Sequence, residues 1–224
     1  MIKNRLSFEN MDWETFKIKD IFEIRGVLGK TISNYSQGKI PYVTTSSQNN
    51  GVSDFVDSTD VSFKKAISVD PIAGKTFFHD YDFVGRGGAG SAINLLYNSH
   101  LNKYNGQFIC TMIEKVSKEK ASYGLALNGD RLKNTRINLP IDKKGNPHWQ
   151  FMEEYIKQEQ KVQAKKIIDY YESKMLKTAF DLVGLEDLEW KEFPLKMLFN
   201  FKRGNQNNMA SLSAGDIPLV SAKK

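Results

Sequence analysis

The opening of this chain returns near its end. In one fixed, gapless register Trp13 falls on Trp190, Phe16 on Phe193, Lys19 on Lys196 and Phe22 on Phe199. The match runs on: Ser36 falls on Ser213, Gly38 on Gly215, Ile40-Pro41 on Ile217-Pro218 and Val43 on Val220. Ile18 with Leu195, Ile21 with Leu198 and Arg25 with Lys202 are conservative pairs in the same register. A repeat of this length means the same supersecondary unit is built twice. The sequence therefore holds one full unit and the first part of a second. It reads as a half-length or truncated form of a two-unit protein.

A long helix is expected between the copies. Asn146 suits an N-cap and Pro147 the first helical position. From His148 to Ala179 there is neither Gly nor Pro, and Glu, Lys, Gln, Ala, Ile and Met dominate. Met152, Tyr155, Ile156, Val162, Ile167, Tyr170, Tyr171, Met175 and Ala179 recur at about helical spacing, and Gly184 is a natural stop. Such a helix would be on the order of 45 Å long. Its apolar stripe calls for a partner helix, interrupted at the polar stretch Lys157 to Lys161. Packing on its own domain is the alternative.

The segment before the helix reads as short strands and turns. Phe16 to Ile24, Pro41 to Thr44, Phe108 to Ile113 and Arg136 to Leu139 are strand candidates. Gly26, Gly29, Gly38, Gly51 and the Gly85–Gly90 cluster mark turns. The fold class is therefore α+β, a β-rich mixed domain followed by a long helix. Three regions are expected: 1–146, the helical 147–183, and 184–224 as an incomplete second copy.

Composition narrows the function. The 224 residues are 40% hydrophobic and 26% charged, as in a globular protein. No apolar run reaches the roughly 18 residues of a membrane span, and residues 1–13 do not resemble a secretory signal. One cysteine, Cys110, leaves no internal disulfide and no thiolate zinc site. A cytoplasmic protein without membrane contact is expected. The net charge of +6 suits an anionic partner, although an ordinary basic protein would carry it too.

Enzyme signatures are weak. The Gly85-Arg86-Gly87-Gly88-Ala89-Gly90-Ser91 run lacks the Gly-Lys-Ser/Thr ending of a phosphate-binding loop and the spacing of a dinucleotide fingerprint. A glycine-rich turn fits it better. Asp70-Pro71-Ile72 does not make a methyltransferase motif, and Glu172-Ser173-Lys174 lies on the helix and reads as a solvated face. His79, His100 and His148 show no metal-ligand spacing. No catalytic residue, metal or cofactor is expected.

Nucleic-acid chemistry is better represented. Thr45, Ser46, Ser47, Gln48, Asn49 and Asn50 follow a strand directly, and their hydroxyls and amides suit base edges and phosphates. Arg86 sits between glycines, Gly87 and Gly88 following it, where little bulk would hold it off a groove. Lys64, Lys65 and Lys75 precede it. Lys103, within Asn102-Lys103-Tyr104-Asn105, and the run Arg131, Lys133, Asn134, Arg136 are further candidates for neutralising phosphates. Any one of these would also suit a plain solvated surface.

With these residues in view, the chain resembles the specificity subunits of type I restriction–modification systems. The resemblance rests on the Trp-x-x-Phe opening, the Ile40-Pro41-Tyr42-Val43-Thr44 strand, the Gly85-Arg86-Gly87-Gly88 turn and the run from Asp130 to Pro140. It also rests on the order of recognition domain, helical spacer and second opening, and it covers essentially the whole chain. The resemblance implies a target recognition domain that reads one half of a split site in double-stranded DNA. It implies spacer helices packed as an antiparallel coiled coil. It further implies methyltransferase (modification) subunits docked on the chain, with restriction subunits joined through them. A half-subunit of this kind would form a homodimer through the spacer, with Met152, Ile156, Val162, Ile167, Tyr170 and Met175 as the partner-facing residues. The alternative is the recognition end of a fused type II restriction–methylation enzyme.

Overall fold

The structure is a computed structural model that describes residues 5–88, 92–122, 124–181 and 184–202. Ala89, Gly90 and Ser91 of the glycine-rich run, and the second copy from 203 onward with its Ile217-Pro218-x-Val220 strand, lie outside the described residues. Two units are distinguished, residues 1–171 and 172–224.

In the first unit, β1 (Trp13–Lys17) leads through a helical turn, α1 (Ile18–Ile21), into β2 (Glu23–Gly26). The alternation from Phe16 to Ile24 thus serves two strands, with Ile18 and Phe22 buried at the corner between them. Then come β3 (Ser36–Val43), β4 (Val52–Asp57), β5 (Ala66–Val69), β6 (Thr76–His79), β7 (Val84–Gly85) and β8 (Asn94–Tyr97). They are followed by α2 (Asn105–Lys120), α3 (Gly129–Lys133), β9 (Arg136–Pro140) and α4 (Trp149–Asp181). The strands form three small sheets, ordered β1-β9, β2-β8-β5-β6 and β4-β3-β7. All pairs are antiparallel except β3 with β7.

One strand expectation fails. Phe108 to Ile113 lies inside α2, not in a strand. Phe108, Ile109, Ile113 and Ser117 are buried at helical spacing, so the helix inserts one stripe into the main core. That core gathers Ile67, Val69 and Leu96 of the four-stranded sheet, Ile137 and Leu139 of β9, and Leu127 and Leu132 around α3. Asn102 fixes the start of α2: its side-chain Oδ1 accepts from the backbone N–H groups of Tyr104 (2.9 Å) and Asn105 (3.1 Å). Its amide donates to Glu153 on α4 at 2.8 Å.

α4 starts later than its sequence suggests. His148, not Asn146, caps it, the imidazole Nδ1 accepting from Phe151 N at 3.2 Å. The first turns belong to the domain: Phe151 and Met152 are buried, and Tyr155 and Ile156 pack on the main core. Met152 is fully buried there, which corrects its assignment to a partner helix; Ile156 is half-claimed by the same core. The segment before β1 clasps the same turns. Arg5 pairs with Glu159 at 2.7 Å, and Leu6 exchanges two hydrogen bonds with the Gln158 amide. Phe8 lies against Tyr155, Phe151 and Trp13. Past Val162 every residue through Thr178 is exposed. Ile167, Tyr170, Tyr171 and Met175 are more than half exposed. In the second unit, a short 3-10 turn (Leu185–Asp187) precedes α5 (Leu195–Leu198), and the repeated Phe193, Leu195, Leu198 and Phe199 are exposed there. Among the described residues, no helix is long and apolar enough to cross a membrane.

Candidate nucleic-acid interface

The polar loop Thr45–Asn50 closes on itself at the end of β3. Thr44 N donates to Gly51 O and Gly51 N to Gln48 O, both at 2.8 Å. Asn49, Asn50 and Gly51 all take positive φ (50°, 54° and 79°), a tight left-handed path that Asn and Gly tolerate best. The hydroxyls of Thr44 and Ser46 are spent inside the loop, accepting from Ser46 N and Gln48 N at 3.2 Å. Ser47, Gln48, Asn49 and Asn50 remain exposed. Their side chains have no protein partner among the described residues, so the loop presents unengaged amides on a backbone that is held in place.

The glycine-rich turn packs beside this loop. β7 runs parallel to β3, pairing Tyr42 with Val84 and Val43 with Gly85. Arg86 N then donates to Val43 O at 2.7 Å. The glycines serve backbone packing. A Cβ on Gly87 would stand 2.0 Å from Gly29 O, one on Gly29 would stand 2.2 Å from Gly85 O, and one on Gly85 would meet Val27 at 2.4 Å. The Gly85–Gly88 turn is therefore a close backbone crossing with the Val27–Gly29 segment. Gly88, at φ +113°, turns the chain out again. The crossing lifts Arg86 beside Tyr42, and no carboxylate pairs with its guanidinium among the described residues. Burial raises the Tyr42 phenol, and the Arg86 charge opposes that rise. The phenol donates to Lys30 O at 2.6 Å.

The other sequence candidates divide. Lys75 is tied to Glu114 on α2 at 2.8 Å, and Lys118 shares that carboxylate at 2.7 Å. The two ammonium groups hold Glu114 below the ordinary glutamate range against the opposing effect of burial. Arg131 is a brace. Its guanidinium donates to Leu125 O, to Ala126 O at 2.7 Å and to Lys120 O at 2.7 Å, closing the loop between α2 and α3. Both charges are engaged within the domain in this structure, Lys75 by a carboxylate and Arg131 by backbone carbonyls, and both side chains remain partly exposed. Lys133 makes a loose pair with Asp130 at 3.5 Å, and the Asn134 amide donates to Asp130 O. Arg136 is exposed on β9 opposite Lys17, and Lys103 lies over the Tyr104 ring at the start of α2. The structure thus joins Thr45–Asn50 with Arg86. It leaves Lys103, Lys133, Asn134 and Arg136 on other elements.

Two residues at this face escaped the sequence analysis. Asp54 and Phe55 form an exposed ridge on β4, between one groove shared with Asn49 and another shared with Gln37. A β-bulge marks the place: Tyr42 pairs with Asp54 and Val43 with Val52, leaving Ser53 unopposed. Bulges re-aim side chains and gather near functional sites, but a bulge has no signature in one sequence. Among the described residues no group of three His, Cys, Asp or Glu side chains could hold a metal. The thiol of Cys110 is pushed up to about 12 by burial, which leaves it a poor nucleophile.

Residues 10–169 match the family described as the type I restriction modification DNA specificity domain. The chain belongs to that family. The specificity subunit S.BcgI of a type II restriction enzyme from Heyndrickxia coagulans is 28% identical over 153 residues, 67% of this chain and 44% of the relative. The S subunit of a type I system from M. genitalium shares the fold, with a TM-score of 0.50 at 14% identity over 77% of this chain and 44% of that one. The HsdS subunit of Thermoanaerobacter tengcongensis has a TM-score of 0.47 at 13% identity over 75% of this chain and 42% of that one. The chain thus spans less than half the length of each.

Proposed function

We propose that this chain is a sequence-reading component of a restriction–modification system, without bond-making chemistry of its own. The observation that carries this reading is that the loop with exposed Gln48, Asn49 and Asn50 and the turn with the carboxylate-free Arg86 are both bonded by their backbones to the end of β3, in a chain of the specificity-domain family. Amides can pair bidentately with adenine, and arginine with guanine or with phosphate. Lys103, Lys133, Asn134 and Arg136 would then supply phosphate contacts away from that centre. The domain reads one half of a split duplex site. A second copy, paired through the part-buried Val162 and the exposed Ile167, Tyr170 and Met175 of α4, reads the other half in two-fold symmetry. Methyltransferase subunits dock on the chain, and restriction subunits join through them.

The test is duplex binding at several salt concentrations. Arg86→Ala should weaken binding and flatten the slope of log K against log salt by about one unit if the side chain neutralises one phosphate. Unchanged affinity and slope would remove Arg86 from the interface. A second reading is the recognition end of a fused type II restriction–methylation enzyme; the Heyndrickxia relative is named for a type II enzyme, although as a separate specificity subunit. Methyl transfer from S-adenosylmethionine to DNA by the chain alone would support catalysis and contradict the first reading.

A further inference from the structure

Resting on the sequence-reading role just proposed, we infer that Asp54 is a specificity-determining residue. Its carboxylate accepts a hydrogen bond from the exocyclic amino group of a cytosine or adenine in the major groove. Asp54 stands on the ridge of β4 between two open grooves of about 600 and about 330 Å³. The larger is lined by Pro41, Val52, Phe55 and Tyr81, with Asn49, Ser53 and Asp54 as its polar members. Asn49 belongs to the amide loop, so the groove continues the proposed reading surface.

Three observations select this role over phosphate contact or idle charge. None of the residues lining either groove is basic, so neither groove is a track for the DNA backbone. A carboxylate at such a place repels phosphates and is useful only toward a donor. Second, the carboxylate is preset: one oxygen accepts the Phe55 backbone N–H at 2.7 Å, and the other has no protein donor among the described residues. Third, the bulge at Ser53 sets the direction of this segment independently of the ladder on either side. In the major groove only cytosine N4 and adenine N6 present amino donors, and acidic side chains pair with the former.

The experiment measures binding of the full chain to a randomised duplex pool, then to the enriched duplex and every single-base-pair variant of it. Asp54→Asn and Asp54→Ala are compared with the wild type. The expected result is a loss of roughly tenfold discrimination at a single base pair where the wild type selects C or A, with the other positions, the salt slope and the melting temperature unchanged. Asn, which donates as well as accepts, should tolerate more bases there than Asp does. If the wild type enriches a motif and both variants keep its whole position-by-position profile, the inference fails and the sequence-reading role stands. It also fails if the variants alter affinity equally for all sequences, or alter only the binding of a modification subunit. If the wild type enriches nothing, the sequence-reading role itself is overturned.

Discussion

Adding one methyl group to Gly87 probes whether close backbone packing builds the turn that presents Arg86. In Gly87→Ala the new Cβ would stand 2.0 Å from Gly29 O. An ordinary contact needs more than 3 Å, so one of two backbone segments has to retreat by about 1 Å. Neither yields easily: Gly29 is itself pressed against Gly85 O, and Arg86 N is bound to Val43 O at 2.7 Å. Overpacking of this kind costs about 1–3 kcal/mol, and the rigid backbone on both sides favours the upper half of that range. Gly26→Ala is the control, because nothing lies within 4 Å of the added atom and its φ is not positive. Urea unfolding followed by far-UV circular dichroism should give a lower midpoint for Gly87→Ala at unchanged slope, and a shift within about 0.5 kcal/mol for Gly26→Ala. DNA binding by the folded Gly87→Ala protein should also weaken, since the turn carries Arg86. If Gly87→Ala were as stable as the wild type, the turn would not be a backbone crossing, and a ligand-cradling role for its glycines would return.

Acid should destabilise the fold through His79. Burial among Ser68, Tyr81 and Phe83 lowers its pKa from 6.5 to about 4. The unfolded chain then binds the proton more tightly, so this stability is complete above pH 6.5, falls toward pH 4 and levels off below; the loss approaches about 3 kcal/mol. His79→Gln should flatten that part of the pH–stability curve, and an identical curve would remove His79 as its cause. Arg131→Lys keeps the charge but not the three carbonyl contacts; it should lower stability by about 1–2 kcal/mol with little change in DNA affinity. The reverse pattern would place Arg131 in the interface. Ile167→Asp with Met175→Asp should convert a sedimenting dimer to monomer without lowering the melting temperature of the recognition domain, and a wild-type monomer would contradict pairing through α4.

Much of the fold is legible in the residues because local pattern and burial agree. The β9 strand falls where apolar spacing puts it, the Pro41 to Thr44 strand is the end of a longer β3 that begins at Ser36, and the long helix is present although it begins at Trp149. Phe108 to Ile113 misleads because Phe-Ile-Cys-Thr-Met-Ile is rich in strand-forming types. The helical period emerges only when Val116 and Ser117 enter the window. The split of α4 into a docked half and an exposed half is not encoded in its period. It depends on what Phe8, Leu6 and Arg5 do from the other end of the domain. The loop of the candidate site was visible as a run of short polar side chains. Arg131 and Lys75 were visible only as charges, and charge alone does not say whether a carbonyl, a carboxylate or a phosphate answers it. Asp54 and Phe55 needed the bulge and the grooves, which exist only once β3 and β4 are paired.

Whether the chain tells one base sequence from another is tested most directly by equilibrium selection. A pool of duplexes with a randomised core is bound at near-physiological salt, and bound and free fractions are sequenced. The account predicts a short enriched motif, repeated in inverted orientation at a fixed separation when two copies pair. Recovery of every sequence at its input frequency would contradict it.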